Sequence, residues 1–212
     1  MQRLLFLIVL LVSTAGMADG SLEEDVLQIH RSWEHANFEL SGSEKIEGLE
    51  RVAHAADRLV ERWPGRAEPL LWKGITYATW AGARGGPGAL GLARQARDAL
   101  LAAERIDPGI MNGAIYTTLG SIYYRVPGWP IGFGDDDKAA EYFRKAMQMN
   151  PDGLNSNYFY GDFLLDQGQY RKAAEVLRRA LRAQPDPEHP VADRGRRRQV
   201  EAALKKALDR AG

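Results

Sequence analysis

The sequence predicts an all-α fold built as a solenoid of helical hairpins. Three observations carry this. Apolar residues recur at helical spacing along almost the whole chain. A unit of small, bulky and small residues closed by a proline returns several times. Glycine and proline punctuate the chain between these units, where helices must turn.

The clearest unit is the helix of "DKAAEYFRKAMQMNP", with Ala139, Phe143 and Ala146 followed by Pro151. "RKAAEVLRRALRAQP" repeats it at Ala173, Leu177, Ala180 and Pro185, and "ARQARDALLAAERIDP" at Ala96, Leu100, Ala103 and Pro108. Each is preceded by a helix with a glycine near its middle: Gly74, Gly120 and Gly161. That is the tetratricopeptide (TPR) pattern, a helix-turn-helix unit of about 34 residues. The fold class is therefore a TPR-like helical-hairpin solenoid with capping helices at both ends. In an ordinary unit the glycine of the first helix (A) and the terminal proline lie 24 apart, as Gly161 and Pro185 do. Gly120 to Pro151 spans 31 and Gly74 to Pro108 spans 34. The extra residues fall between helices A and B, at 81–91 ("AGARGGPGALG") and 126–134 ("VPGWPIGFG"). Insertions recurring at one place in a solenoid build up one face of it.

In chain order, residues 1–18 read as a secretory leader. Arg3 is the positive start, Leu4 to Val12 the apolar run, and Gly16-Met17-Ala18 the small residues before a cleavage point. The run is too short to span a bilayer. The expected mature chain starts near Asp19 and is periplasmic or secreted. Residues 19–66 form an N-terminal helical hairpin, a degenerate TPR-like cap. Its stripes are Leu22, Val26, Ile29, Trp33, Ala36 and Leu40, then Ile46, Leu49, Val52, Ala53, Ala56, Leu59 and Val60. Ser43 is its candidate second N-cap. Residues 67–185 hold three TPR-like repeats. In the first, the spacing predicts helix A over 68–80, a flexible loop over 81–91 and helix B over 92–106. In the second, Asp135 to Asp137 supply an N-cap and first-turn charge. Residues 186–212 are a linker and a C-terminal capping helix, apolar at Val200, Ala203, Leu204, Ala207 and Leu208. Such a polar-backed end keeps a solenoid soluble.

Composition narrows the function. With 28 basic and 28 acidic residues, no broad field favours nucleic acid or an anionic membrane. The run Arg194 to Arg198 lacks interleaved aromatics and reads as a solvated helix face. With no cysteine there is no disulfide, no thiolate chemistry, and no lipobox for a stable membrane anchor. His30, His35 and His54 do not meet metal-ligand spacing among themselves, and no metal or cofactor is expected. The aspartates at 135–137 and Asp162 are the only carboxylate group worth weighing as catalytic. Capping explains the first three, no histidine partners them, and no catalytic residue is predicted. "GARGGPGALG" lacks the lysine and Ser/Thr that close a phosphate loop.

The concave face of a TPR stack is lined mainly by helix A. With the glycine as position 8, positions 2, 5, 9 and 12 point inward. These are Glu68, Leu71, Ile75 and Ala78; Ala114, Thr117, Ser121 and Tyr124; and Asn155, Tyr158, Asp162 and Leu165. The predicted groove residues are Leu71, Ile75, Thr117, Ser121, Tyr124, Trp129, Phe133, Asn155, Tyr158 and Asp162. They suit a small amphipathic ligand or an apolar peptide. Trp129, Phe133 and Trp80 either close over that ligand or fill gaps between helices. The inward positions lack the basic cluster that grips a chaperone tail.

The stretch "GSIYYRVPGWPIGFGDDDKAAEYFRKAMQMNPDGLNSNYFYGDFLLDQGQYRKA" resembles extracytoplasmic TPR proteins related to the T component of tripartite ATP-independent periplasmic (TRAP) transporters. The resemblance rests on the aromatic insertion, the "GD…KA" start at Gly134, Asp135, Lys138 and Ala139, and the "YFYGDFL" helix at 158–164. It implies a helical stack with an internal ligand groove, oligomers, and association with a periplasmic substrate-binding protein. Members are typically lipid-anchored, and this chain has no lipobox cysteine to match. The expected function is an exported binding module or adaptor for a partner protein or small amphipathic ligand in TRAP-type uptake; the alternative is a peptide-binding scaffold for envelope assembly.

Overall fold

A computed structural model describes residues 20–212. The leader-like segment 1–18 lies outside the described residues. Among the described residues nine α-helices follow in order: α1 Leu22–Phe38, α2 Gly42–Arg62, α3 Ala67–Arg84, α4 Gly86–Ile106, α5 Ala114–Arg125, α6 Asp136–Met149, α7 Leu154–Asp166, α8 Tyr170–Leu181 and α9 Pro190–Ala211. Consecutive helices pair as antiparallel hairpins and the hairpins stack, α1–α2 through α7–α8. None of the described helices is long and apolar enough to cross a membrane.

Local chemistry sets the helix ends. Ser21 caps α1 through a reciprocal pair, its hydroxyl accepting from Glu24 N while the Glu24 carboxylate accepts from Ser21 N. Asp135 caps α6 by accepting from Lys138 N at 3.0 Å. α2 begins earlier than the sequence indicates, with Ser41 rather than Ser43 at its N-cap.

The repeated glycines explain how the hairpins close. A Cβ on Gly74 would fall 2.4 Å from Leu100, one on Gly120 2.9 Å from Phe143, and one on Gly161 2.6 Å from Leu177. In each unit the bulky helix-B side chain fills the notch left by the helix-A glycine. Leu100, Phe143 and Leu177 are fully buried there. Polar ties join successive hairpins. Trp33 Nε1 donates to Thr79 Oγ1 at 3.0 Å, and Tyr77 OH donates to Asp57 Oδ2 at 2.7 Å.

The structure corrects two expectations. Residues 81–91 are not a flexible loop: α3 runs on to Arg84 and α4 begins at Gly86. Only Gly85 and Gly86, both at positive φ, make the turn, and Pro87 opens α4. The insertion lengthens a hairpin instead of covering a groove, because its alanines and leucines sustain helix on both sides. The second insertion is irregular, as expected, but it packs outward. Phe133 lies under the Arg97 guanidinium at 4.3 Å and edge-on to Tyr123. Gly134 N donates to Pro127 O at 2.9 Å, and a Cβ on Gly134 would sit 1.8 Å from Val126 O. Trp129 and Ile131 project into solvent, 90% and 70% exposed.

Gly74→Ala tests the interlock. Helix propensity favours alanine by up to about 1 kcal/mol. Overpacking against Leu100 costs about 1–3 kcal/mol. The expected net result is a lower urea midpoint for Gly74→Ala, and a neutral or higher one for Gly91→Ala, where nothing lies within 4 Å.

Candidate functional site

The odd-numbered helices form the inner layer, and α9 continues it. Gly195 lies 34 residues after Gly161, the spacing of one whole repeat. α9 thus holds the helix-A place of a further unit. It packs against α8 and α7, and its N-terminal half reaches α1. A Cβ on Gly195 would fall 2.2 Å from the Phe38 ring, so its notch receives a side chain from the first hairpin. The arc of hairpins is closed on itself.

This closure encloses a cavity of about 650 Å³, open at its rim. That is within the range of small-molecule sites. α1 contributes His30, Trp33 and Asn37; α3 Trp72, Ile75, Ala78 and Thr79; α5 Thr117, Thr118, Ser121 and Arg125; α7 Leu154, Asn155, Tyr158 and Phe159. His189, Ala192, Arg196 and Gln199 add to the wall, and the carboxylates of Asp186 and Asp193 lie in it as well. Counting Gly195 as position 8, the first four are positions 2, 5, 9 and 12.

Five of the predicted groove residues, Ile75, Thr117, Ser121, Asn155 and Tyr158, line this cavity. The other five do not. Leu71 is fully buried in the core. Tyr124 turns aside and donates to Asp162 Oδ2, which also accepts from Arg125 Nη2. Trp129 and Phe133 belong to the outward loop, and Trp80 is buried against Tyr77 and His54. These aromatics therefore lie away from this cavity. The 126–134 loop leaves at the end of helix A and folds over α4, away from the inner layer.

The side chain that dominates the cavity is Arg196, which is only 7% exposed. Its Nε donates to Asn155 Oδ1 at 2.8 Å and its Nη1 to Gln199 Oε1 at 2.7 Å. Its guanidinium stacks on Tyr158 and Phe159 at 4.7 and 4.5 Å, with Phe38 at 5.6 Å. No carboxylate lies within ion-pair distance of it among the described residues. Burial pushes it down to about 10, against a stabilising effect of Tyr158 and with the Arg125 charge adding to the fall. It remains a cation at neutral pH. Lys45 also lines the cavity, donating to Asn37 O at 2.6 Å; burial and then Arg196 lower its pKa. By contrast, Arg125 is neutralised by Asp162 and Asp193 by Arg197, the latter pair at 2.8 Å. The cavity thus presents an unneutralised buried cation on an aromatic bed, with a second cation beside it. Burying charge without a counter-charge is costly. Such an arrangement attracts an anion to the low-dielectric interior.

Thr117, Thr118 and Thr79 donate to the backbone carbonyls of Gly113, Ala114 and Ile75. Of the histidines, His35 and His54 sit at the surface with Glu39 and Asp57. His30 is pushed down to about 4 by burial, with His189 adding to the fall.

Sequence reasoning did not reach Arg196, His189 or Gln199. The Gly161–Gly195 spacing would have found them, since the inward positions follow from it. The charged run 194–198 hid the signal by reading as a solvated surface.

Residues 131–190 match the tetratricopeptide-repeat family model. No curated protein is significantly similar in sequence. Among solved structures, the thermophilic TPR protein TTC0263 of Thermus thermophilus aligns with a TM-score of 0.57 at 16% identity, over 87% of this chain and 100% of that one. MamA aligns at 0.45 and 19% identity over 78% of this chain and 90% of its own. YrrB, a TPR protein with an unusual peptide-binding site, aligns at 0.41 and 19% identity over 89% of each. The latter two are too distant in shape to bear on this chain. The fold is a TPR-like solenoid, an architecture that builds extended concave binding surfaces.

If Arg196 is held at an energetic cost, Arg196→Met should raise the stability of ligand-free protein by about 1–3 kcal/mol, measured by urea unfolding. A loss of stability would show that its contacts with Asn155, Gln199 and the aromatic bed outweigh its desolvation.

Proposed function

We propose that this chain is an exported, non-enzymatic binding module that holds a small amphipathic anion in its ring-closed cavity. One observation carries the reading: Arg196 is buried, charged and, among the described residues, without a carboxylate at ion-pair distance where all the inner helices converge. A carboxylate or phosphate-like group would accept from the guanidinium, supported by Lys45. The apolar part of the ligand would lie on Trp33, Trp72, Ile75 and Leu154. Export and a role in TRAP-type uptake, alongside a periplasmic substrate-binding protein, rest on the leader-like start and the resemblance in sequence. The closed arc disfavours the peptide-scaffold alternative, because an extended chain would have to displace α9 from α1.

The protein partner has a separate place to dock. Trp129 and Ile131 form an exposed apolar tip on a loop pinned by its own backbone bonds. A large aromatic presented this way is the kind of side chain that anchors a protein interface.

Native mass spectrometry of mature protein from its own periplasm tests the cavity. The expected spectrum shows an added mass of a few hundred daltons per chain, absent from Arg196→Met. An equally loaded Arg196→Met would overturn the anion reading. Trp129→Ala should leave the added mass unchanged while weakening cross-linking to the substrate-binding protein. Loss of the small ligand in Trp129→Ala would contradict the separation of the two sites.

A further inference from the structure

His30, Glu34 and His189 come together at the seam where the solenoid closes. His30 and Glu34 are one turn apart on α1, so both side chains leave the same face. His189 arrives from the other end of the chain, immediately before α9. Asp186 sets its position: the Asp186 carboxylate accepts from Glu188 N at 3.0 Å and His189 N at 3.2 Å. Arg197 fixes the same linker by donating to the carbonyls of Leu181 and Ala183.

The three donor atoms are unusually close. Glu34 Oε1 lies 3.3 Å from His30 Nε2 and 3.0 Å from His189 Nδ1. One donor atom from each of the three residues falls within 4.8 Å of the others. Ligands held at about 2.0–2.1 Å around a tetrahedral ion are separated by about 3.3 Å. Two of the three edges already have that length. The rings of His30 and His189 stand 3.6 Å apart between centroids, closer than two imidazoles on one tetrahedral ion, so metal binding requires them to spread.

Two of the three donors also lack an aligned hydrogen bond. Glu34 is 6% exposed, and no lysine or arginine lies within ion-pair distance of it among the described residues. Glu34 Oε1 and His189 Nδ1 are both buried, and despite their 3.0 Å approach neither has an aligned hydrogen-bond partner. A buried carboxylate flanked by two imidazole nitrogens is short of a cation. The other charged groups facing the cluster are Asp186 and Arg31.

We propose that His30, Glu34 and His189 form a binding site for a divalent transition metal, with zinc the best match to two imidazoles and one carboxylate. Each ligand supplies a donor type that zinc accepts. The ion ties the first helix to the residue preceding the last, across the seam that makes the cavity. Both histidines also line the cavity, so the remaining coordination position opens toward it. The sequence conceals the site because its two histidines are 159 residues apart and its carboxylate is an ordinary-looking i+4 partner.

The test uses untagged protein without its leader, stripped of metal. Titration calorimetry with zinc should give one equivalent per chain, and zinc should raise the melting temperature by several degrees, as binding to the folded state alone requires. Glu34→Gln and His189→Gln, which preserve side-chain size, should each weaken zinc about 100-fold. His35→Ala combined with His54→Ala should change nothing. Cobalt provides a readout independent of stability: the intense visible bands of a four-coordinate ion should appear in wild type and vanish in both variants. Wild type that binds no zinc would overturn the proposal and leave a proton as the cation of the cluster. Zinc binding that persists in Glu34→Gln and His189→Gln would also overturn it, and would assign the ion to exposed histidines.

Discussion

The structure depends on one steric arrangement: a glycine in an inner helix against a bulky side chain from a neighbour. It occurs three times inside hairpins, at Gly74 with Leu100, Gly120 with Phe143 and Gly161 with Leu177. It occurs a fourth time between the ends of the chain, at Gly195 with Phe38. The first three set how closely each helix pair approaches, and so the curvature of the stack. The fourth converts a curved stack into a closed one. A solenoid grows by repeating local contacts. Closure is the step that those local contacts do not supply.

Closure changes the electrostatics of the concave face. An open TPR groove is bathed in water and tolerates charge freely. Here the inner helices surround Arg196, strip most of its solvent, and leave Asn155, Gln199 and an aromatic bed as its support. Two of the nearby carboxylates are paired with other arginines. Asp162 holds Arg125, and Asp193 holds Arg197. Burying a cation in this way is expected to cost stability, and positions of that kind tend to be shaped by function rather than by folding.

Much of the fold was legible because it is written in local spacing. Ala139, Phe143 and Ala146 define a buried face, Asp135 a cap, and Gly120 a notch, all within one unit. The cavity was half legible. Inward positions of the clear repeats gave Ile75, Thr117, Ser121, Asn155 and Tyr158. The insertions misled, for opposite physical reasons. Residues 81–91 hold enough alanine and leucine to continue helix around a two-glycine turn. Trp129 looked too apolar for solvent, yet the loop that carries it satisfies its own backbone and leaves the ring outside. What remained hidden were contacts between chain ends. Phe38 with Gly195, and His30 and Glu34 with His189, are set by the sum of all the hairpin angles between them.

Docking of α9 on α1 closes the ring, and a distance across that seam tests the closure most directly. The chain has no cysteine, so spin labels at Ser32→Cys and Arg194→Cys, both exposed, would be the only two. Double electron–electron resonance should show one short, narrow distance, that of two packed helices, unchanged on dilution and broadened by Gly195→Leu, which forces Phe38 out of its notch. A long or broad distribution in the unmodified background would mean that the arc is open in solution, and Arg196 would then face water rather than a cavity.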